Sequence, residues 1–123
     1  MKVVIAIDSF KGSLSTFQSG AAVSLALKEV YPSAEAIVSP LADGGEGTLD
    51  AIVFANGGST EEVFVCGPLG EPVMAKYGIV AEKGVAVVEM AQAAGITLVD
   101  NEKKNPLYTT TYGVGEIDRK SVV

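Results

Sequence analysis

The chain has 123 residues, 48% of them hydrophobic, with a formal net charge of -6. That length suits one ordinary domain with a packed core, and the acidic balance argues against a general nucleic-acid or anionic-membrane surface while allowing a local phosphate site. The absence of histidine excludes a Ser-His-Asp triad, a Cys-His pair and histidine-ligated metal, and the lone Cys66 forms no internal disulfide, as expected in a reducing compartment.

Val3-Val4-Ile5-Ala6-Ile7 is a continuous apolar run ending at Asp8, which predicts a central parallel strand. It is too short for a signal-peptide core. No apolar run approaches a membrane span, so the expected setting is cytoplasmic. Asp8-Ser9-Phe10-Lys11-Gly12-Ser13 is then the loop at the strand's carboxyl end, where open α/β sheets bind ligands. Ser15-Thr16-Phe17-Gln18 is a capping box that starts a helix. Leu14, Phe17, Ala21 and Leu25 fall on one helical stripe, and the helix should end before Pro32. A second strand over Ala34–Val38 is closed by Pro40.

Leu41-Ala42-Asp43-Gly44-Gly45-Glu46-Gly47-Thr48 is the densest stretch of the chain. It implies strand, tight turn and helix start, with the glycines in the first helical turn. Glycine in a helix interior costs about 1 kcal/mol against alanine, so their presence points to close approach of a ligand to the backbone. A helix N-terminus suits an anion, and the acids beside it suit a cation or a substrate hydroxyl. The competing reading is structural: Asp43 followed by Glu46 is a capping-box-like pattern. Leu49, Ile52 and Val53 form the buried face of the following helix, which Asn56-Gly57-Gly58 ends. A third strand over Glu61–Val65, with Cys66 at its end, completes a β-α-β-α-β alternation and predicts a parallel, doubly wound α/β sheet.

The pattern then changes. Gly67-Pro68-Leu69-Gly70 is a turn by composition. Strands over Val73–Val80 and Val85–Met90 are separated by only four residues, which means a hairpin. A second unit is expected from about Glu71. Met90–Ala94 reads as a short helix and Val99–Asn105 as a polar loop, with Lys103 and Lys104 solvated.

Lys11 is a point charge suited to phosphate or carboxylate, flanked by the hydroxyls of Ser9 and Ser13. Asp8 suits a metal-bound water or a substrate hydroxyl. The loop is not a Walker A sequence. Gly113-Val114-Gly115 lacks the third glycine of a dinucleotide fingerprint, yet with Thr109, Thr110 and Thr111 upstream it offers N–H and hydroxyl groups to phosphate oxygens. Tyr108 and Tyr112 read as packing residues, Cys66 as buried filler. Glu89 is an acid at the end of an apolar strand, unusual unless paired or functional. The first two stretches follow successive strands and should share one sheet edge. One lysine, several acids and glycine-rich helix starts there suit phosphoryl transfer, which needs charge neutralisation and positioning.

These four stretches, Asp8–Ser13, Ala42–Thr48, Gly67–Gly70 and Asn105–Glu116, resemble the amino-terminal part of the bacterial type 1 glycerate kinases, in the family's order and at similar spacing, from Met1 to about Ile117. The resemblance implies ATP-dependent phosphorylation of a glycerate hydroxyl, giving phosphoglycerate and usually the 2-phospho isomer, with Mg2+ accompanying ATP. It implies two α/β domains, one inserted in the other, with the active site in the cleft between them. Residues 1–70 are then the amino-terminal part of a Rossmann-like or flavodoxin-like domain, and 71–117 the start of the inserted domain. Residues 118–123 depart from the family pattern and are expected to be a non-native or out-of-frame tail, in a fragment inactive alone. Lys11, Asp43 and Glu46 take the catalytic roles. Asp8, Ser9, Ser13, Gly44, Gly45, Gly47, Thr48, Thr109, Thr110, Thr111, Gly113 and Gly115 contact substrate or phosphate. The metal ligand is not assigned, with Asp8 and Asp43 as candidates. The expected partner is a small-molecule substrate, with neither nucleic acid nor membrane. The alternatives are a non-catalytic α/β module that binds a small anionic metabolite, and the product of a damaged gene.

Overall fold

The computed structural model describes residues 1–10 and 12–122. The chain forms two compact units, Met1–Ala51 and Ile52–Val123. Lys11 and Val123, the last residue of the expected tail, lie outside the described residues.

In the first unit, strands β1 (Lys2–Ile7) and β2 (Glu35–Pro40) pair in parallel, from Lys2 opposite Glu35 to Ile7 opposite Pro40. Helix α1 (Thr16–Val30) makes the crossover, as parallel neighbours require. It starts at the predicted capping box: Ser15 Oγ accepts the Gln18 N–H at 3.2 Å, and Gln18 Oε1 accepts the Ser15 N–H at 2.9 Å. The Thr16 hydroxyl donates to the Ile7 carbonyl, tying the first helical turn to the end of β1. The helix ends at Tyr31, before Pro32.

The face that α1 buries differs from the predicted one. Thr16, Ser19 and Gly20 are buried, while Leu14 is 42% and Leu25 66% exposed. A Cβ on Gly20 would collide with Val38 Cγ1. Small residues therefore let the helix settle onto β2, and backbone proximity outweighs side-chain hydrophobicity in choosing the face. β1 is not a central strand among the described residues, because its sheet has two strands. Ile5 is buried and its neighbour Val4 is 64% exposed, the alternation of a strand covered on one face.

Helix α2 (Thr48–Asn56) buries Leu49 and Val53 but leaves Ile52 37% exposed. It closes as expected, with Gly57 at φ 64° and the Gly58 N–H donating to the Val53 carbonyl at 3.0 Å.

The second unit holds strands β3 (Ser59–Cys66), β4 (Pro72–Val80) and β5 (Val85–Val87) in an antiparallel sheet of that order. The mixed α/β class stands, and so does the hairpin, but β3 does not extend the parallel sheet. It pairs with β4 from Ser59 opposite Ile79 to Cys66 opposite Pro72. That antiparallel pairing follows from the Gly67–Glu71 linker, which allows a hairpin and is far too short for a parallel crossover. β5 stops at Val87 because the chain turns into helix α3 (Ala91–Ala94): the Glu89 carbonyl accepts the Gln92 N–H at 3.1 Å. Helix α4 (Tyr112–Ser121) completes a core of Val65, Ala75, Ala93 and Ile117. Among the described residues, no helix is long and apolar enough to cross a membrane.

Candidate functional site

In the first unit, the parallel register brings two of the predicted segments to one edge. Ile7 lies opposite Pro40, and the Leu41 N–H donates to the Ile7 carbonyl at 3.2 Å. Asp8-Ser9 and Leu41–Asp43 therefore leave neighbouring strands side by side at their carboxyl ends, the ligand-binding edge of parallel sheets. Asp8 Oδ1 accepts the Ser9 N–H at 2.6 Å, which fixes the carboxylate against its own loop. Ser9 Oγ is buried without a hydrogen-bond partner. The loop closes through Phe10 N–H to the Leu14 carbonyl at 2.8 Å, with Gly12 at φ 75° and Ser13 exposed.

The acidic glycine stretch is a turn that precedes α2. Asp43 Oδ1 accepts the Gly45 N–H at 2.9 Å, an Asx turn. Asp43 and Glu46 do not form a capping box, because the helix begins only at Thr48. Nor do Gly44, Gly45 and Gly47 lie in its first turn, so the helix-interior cost of glycine does not arise. Gly44 and Gly47 serve instead as left-handed residues, at φ 99° and 93°. A Cβ at either would meet no atom within 4 Å, so the space over this backbone is open. Glu46 is exposed. Thr48 Oγ1 is buried and without a hydrogen-bond partner. The turn thus displays two carboxylates over an open stretch of backbone, with the Thr48 hydroxyl buried behind them.

In the second unit, the Thr110 N–H donates to the Pro68 carbonyl at 2.9 Å, and Thr110 Oγ1 accepts the Tyr112 N–H at 3.1 Å. These bonds fasten the threonines over the Gly67–Gly70 turn. The loop ends at Thr111, so Gly113 and Gly115 belong to α4 rather than to a phosphate-cradling loop. A Cβ on Gly113 would collide with the Cys66 carbonyl oxygen, whereas one on Gly115 would meet nothing within 4 Å. Gly113 thus has a packing reason independent of any ligand. Tyr108 and Tyr112 are 78% and 68% exposed and pack into no core. Glu89 is buried, with Gln92 Nε2 donating to its Oε1 at 3.2 Å.

Sequence reasoning missed two features here. Glu116 Oε2 accepts the Cys66 N–H at 2.7 Å, a bond between residues too far apart in sequence to leave a local signal. Lys104 and Asn105 line a cavity of about 530 Å3 together with Thr109, Thr110 and Thr111. The Asn105-Pro106 turn was the available signal that Lys104 sits beside ordered backbone.

Among the described residues, no cluster of three or more Cys, Asp or Glu side chains is placed to hold a metal. Mg2+ carried on nucleotide phosphates needs only one or two protein carboxylates.

The glycerate kinase family model matches residues 3–122. The chain is 49% identical over 117 residues to a glycerate kinase of Bacillus subtilis strain 168 and 45% identical over 117 residues to the glycerate 2-kinase of Escherichia coli K12. Each alignment covers 95% of this chain and 31% of the relative, so the chain spans about a third of the length of the curated relatives it matches. A crystal structure from Salmonella typhimurium LT2, described as glycerate kinase 2, superposes with a TM-score of 0.74 at 43% identity, covering 99% of this chain and 33% of that one. With the family model spanning nearly the whole sequence and the fold shared with a solved member, this chain belongs to the glycerate kinase family.

Proposed function

We propose that this chain contributes to an ATP-dependent kinase that phosphorylates a hydroxyl of glycerate, giving 2-phosphoglycerate, in a cytoplasmic setting. The observation that carries the reading is near-complete alignment of the chain with relatives named as glycerate kinases. The turn before α2 supports it chemically. Transfer of a phosphoryl group needs positioning and charge neutralisation more than covalent chemistry. Asp43 and Glu46 orient the substrate hydroxyl. The Thr48 and Ser9 hydroxyls, which have no hydrogen-bond partner within the chain, would donate to oxyanion oxygens. Gly44, Gly45 and Gly47 leave the backbone open to the ligand, and Ser13 stands at the rim of the neighbouring loop. Lys11 supplies the positive charge that neutralises a phosphate or carboxylate. Asp8 or Asp43 gives a carboxylate to the Mg2+ that ATP carries, an ion that offsets phosphate charge when bound. Thr109, Thr110 and Thr111 form a further ligand-contacting segment, with Gly113 and Gly115 at the start of the helix behind it.

The test is glycerate-dependent ADP release from MgATP, on a polypeptide of the relatives' length that includes this sequence. The expected product by phosphorus NMR is 2-phosphoglycerate. Lys11→Ala should lower turnover at least tenfold, about 1.4 kcal/mol of barrier. ATP turnover that ignores glycerate would overturn the reading.

A further inference from the structure

We infer that Lys104 and Asn105 join Thr109, Thr110 and Thr111 in a pocket that binds a small organic oxyanion, with Lys104 as its charged anchor. The cavity of about 530 Å3 lies in the size range of small-molecule sites. Its lining includes no Asp or Glu, although the chain carries 15 acids and a net charge of -6. The apolar Ile96, Val99 and Pro106 are part of the same lining.

Its polar residues present donors. Asn105 Oδ1 accepts the Leu107 N–H at 3.0 Å, which leaves the amide NH2 as the free half of that side chain. Thr110 Oγ1 already accepts the Tyr112 N–H, so its own proton is left to donate. Lys104 Nζ gives one of its three protons to Asn101 Oδ1 at 2.7 Å. By contrast, its neighbour Lys103 is paired with Asp100 at 3.5 Å and does not line the cavity. Several donors, one cation, apolar residues and, among the described residues, no carboxylate in one lining match a short carbon chain ending in an oxyanion. Carboxylate and phosphate monoester share that chemistry. The inference deepens the kinase reading by giving this unit a ligand-binding charge of its own, and it rests on that reading only in naming glycerate as a probe.

The test is a titration of the 123-residue chain, observed by amide NMR, with glycerate, inorganic phosphate and 3-phosphoglycerate as separate probes. Saturable shifts at Asn105 and Thr109–Thr111 are expected with at least one probe. A response to glycerate but not phosphate assigns the pocket to a carboxylate, and a response to phosphate assigns it to a phosphoryl group. Lys104→Gln should weaken binding at least tenfold, and Lys103→Gln should change it less than twofold. Thr109→Val, which keeps the lysine, should weaken it severalfold. Shifts confined to residues 8–10 and 42–48 would overturn the inference while leaving the kinase reading intact, as would equal effects of the two lysine variants. Pocket binding in a protein of full relative length that shows no glycerate-dependent turnover would uphold this inference and sink the other.

Discussion

Glu116 Oε2 accepts the Cys66 backbone N–H at 2.7 Å, from one turn inside α4 to the last residue of β3. The Cys66 carbonyl faces the same helix, at the point where Gly113 has no side chain. Cys66 is thus held at its N–H by α4, while its carbonyl lies against the backbone of Gly113. The Lys120 ammonium adds a second tie, donating to the Phe64 carbonyl at 3.0 Å. Glu116→Ala removes a charge-assisted acceptor and strands a part-buried N–H, a loss of about 1–3 kcal/mol. Glu116→Gln keeps an acceptor and should lose less. Urea unfolding of the two variants reads the difference, and an unchanged midpoint in Glu116→Ala would show that the bond contributes nothing net.

Gly113 and Gly115 are two residues apart in one helix and should respond oppositely to alanine. At Gly113 the added Cβ runs into the Cys66 carbonyl, so α4 must shift away from β3. Overpacking of this kind costs about 1–3 kcal/mol. At Gly115 the space is open and the backbone is helical, so alanine should stabilise by up to about 1 kcal/mol. Thermal melts of the two variants decide the matter. A stabilised Gly115→Ala that nevertheless lost ligand affinity would restore the ligand role expected from the sequence.

The contact of Gly20 with Val38 offers a double-mutant test. Gly20→Ala should destabilise the first unit by about 1–3 kcal/mol through overpacking, despite alanine's better helix propensity. Val38→Ala removes the obstructing methyl and leaves a gap. The combined variant should be more stable than the sum of the two losses predicts, because the new methyl occupies the vacated space. Additive losses in denaturant would mean that the two positions do not meet.

What could be read from the sequence was what short range determines. The Ser15–Gln18 box, the Pro32 stop and the Gly57 terminator depend on neighbours within four residues, and all occur as read. The misread features depend on partners distant in sequence. Hydrophobic periodicity assigns the burial of α1 to Leu14, Phe17, Ala21 and Leu25, whereas contact with Val38 selects Gly20. Strand β3 carries no mark of its direction. The shortness of Gly67–Glu71 marks only its antiparallel pairing with β4, and the β-α-β-α-β alternation, which predicts a parallel sheet, does not say which sheet β3 joins. At the candidate site, residue types and spacing pointed to Asp43 and its glycines. They did not show that the glycines belong to the turn and not to the first turn of the helix, since the φ of 99° and 93° that places Gly44 and Gly47 there is not written in a one-letter pattern. Lys104 is exposed, as read, but its place at the rim of a cavity was not legible, because the residues that shape the cavity come both before and after it in the chain.

Asp43 carries two separable roles, and a pair of substitutions distinguishes them. Its Oδ1 accepts the Gly45 N–H at 2.9 Å, which shapes the turn, and its charge is what the proposed chemistry uses. Asp43→Asn preserves an acceptor at that position while removing the charge. Its stability should stay within about 0.5 kcal/mol of the parent, as for substitutions that keep local structure. Turnover in a polypeptide of the relatives' length should fall at least tenfold, about 1.4 kcal/mol of barrier. Asp43→Ala loses the acceptor as well, and should add a stability loss of about 0.5–1.5 kcal/mol. Parallel urea melts and glycerate-dependent ADP release measure both quantities on the same proteins. If Asp43→Asn kept full turnover, the carboxylate would be a turn former alone. Glu46, exposed beside it, would then be the acid to test next.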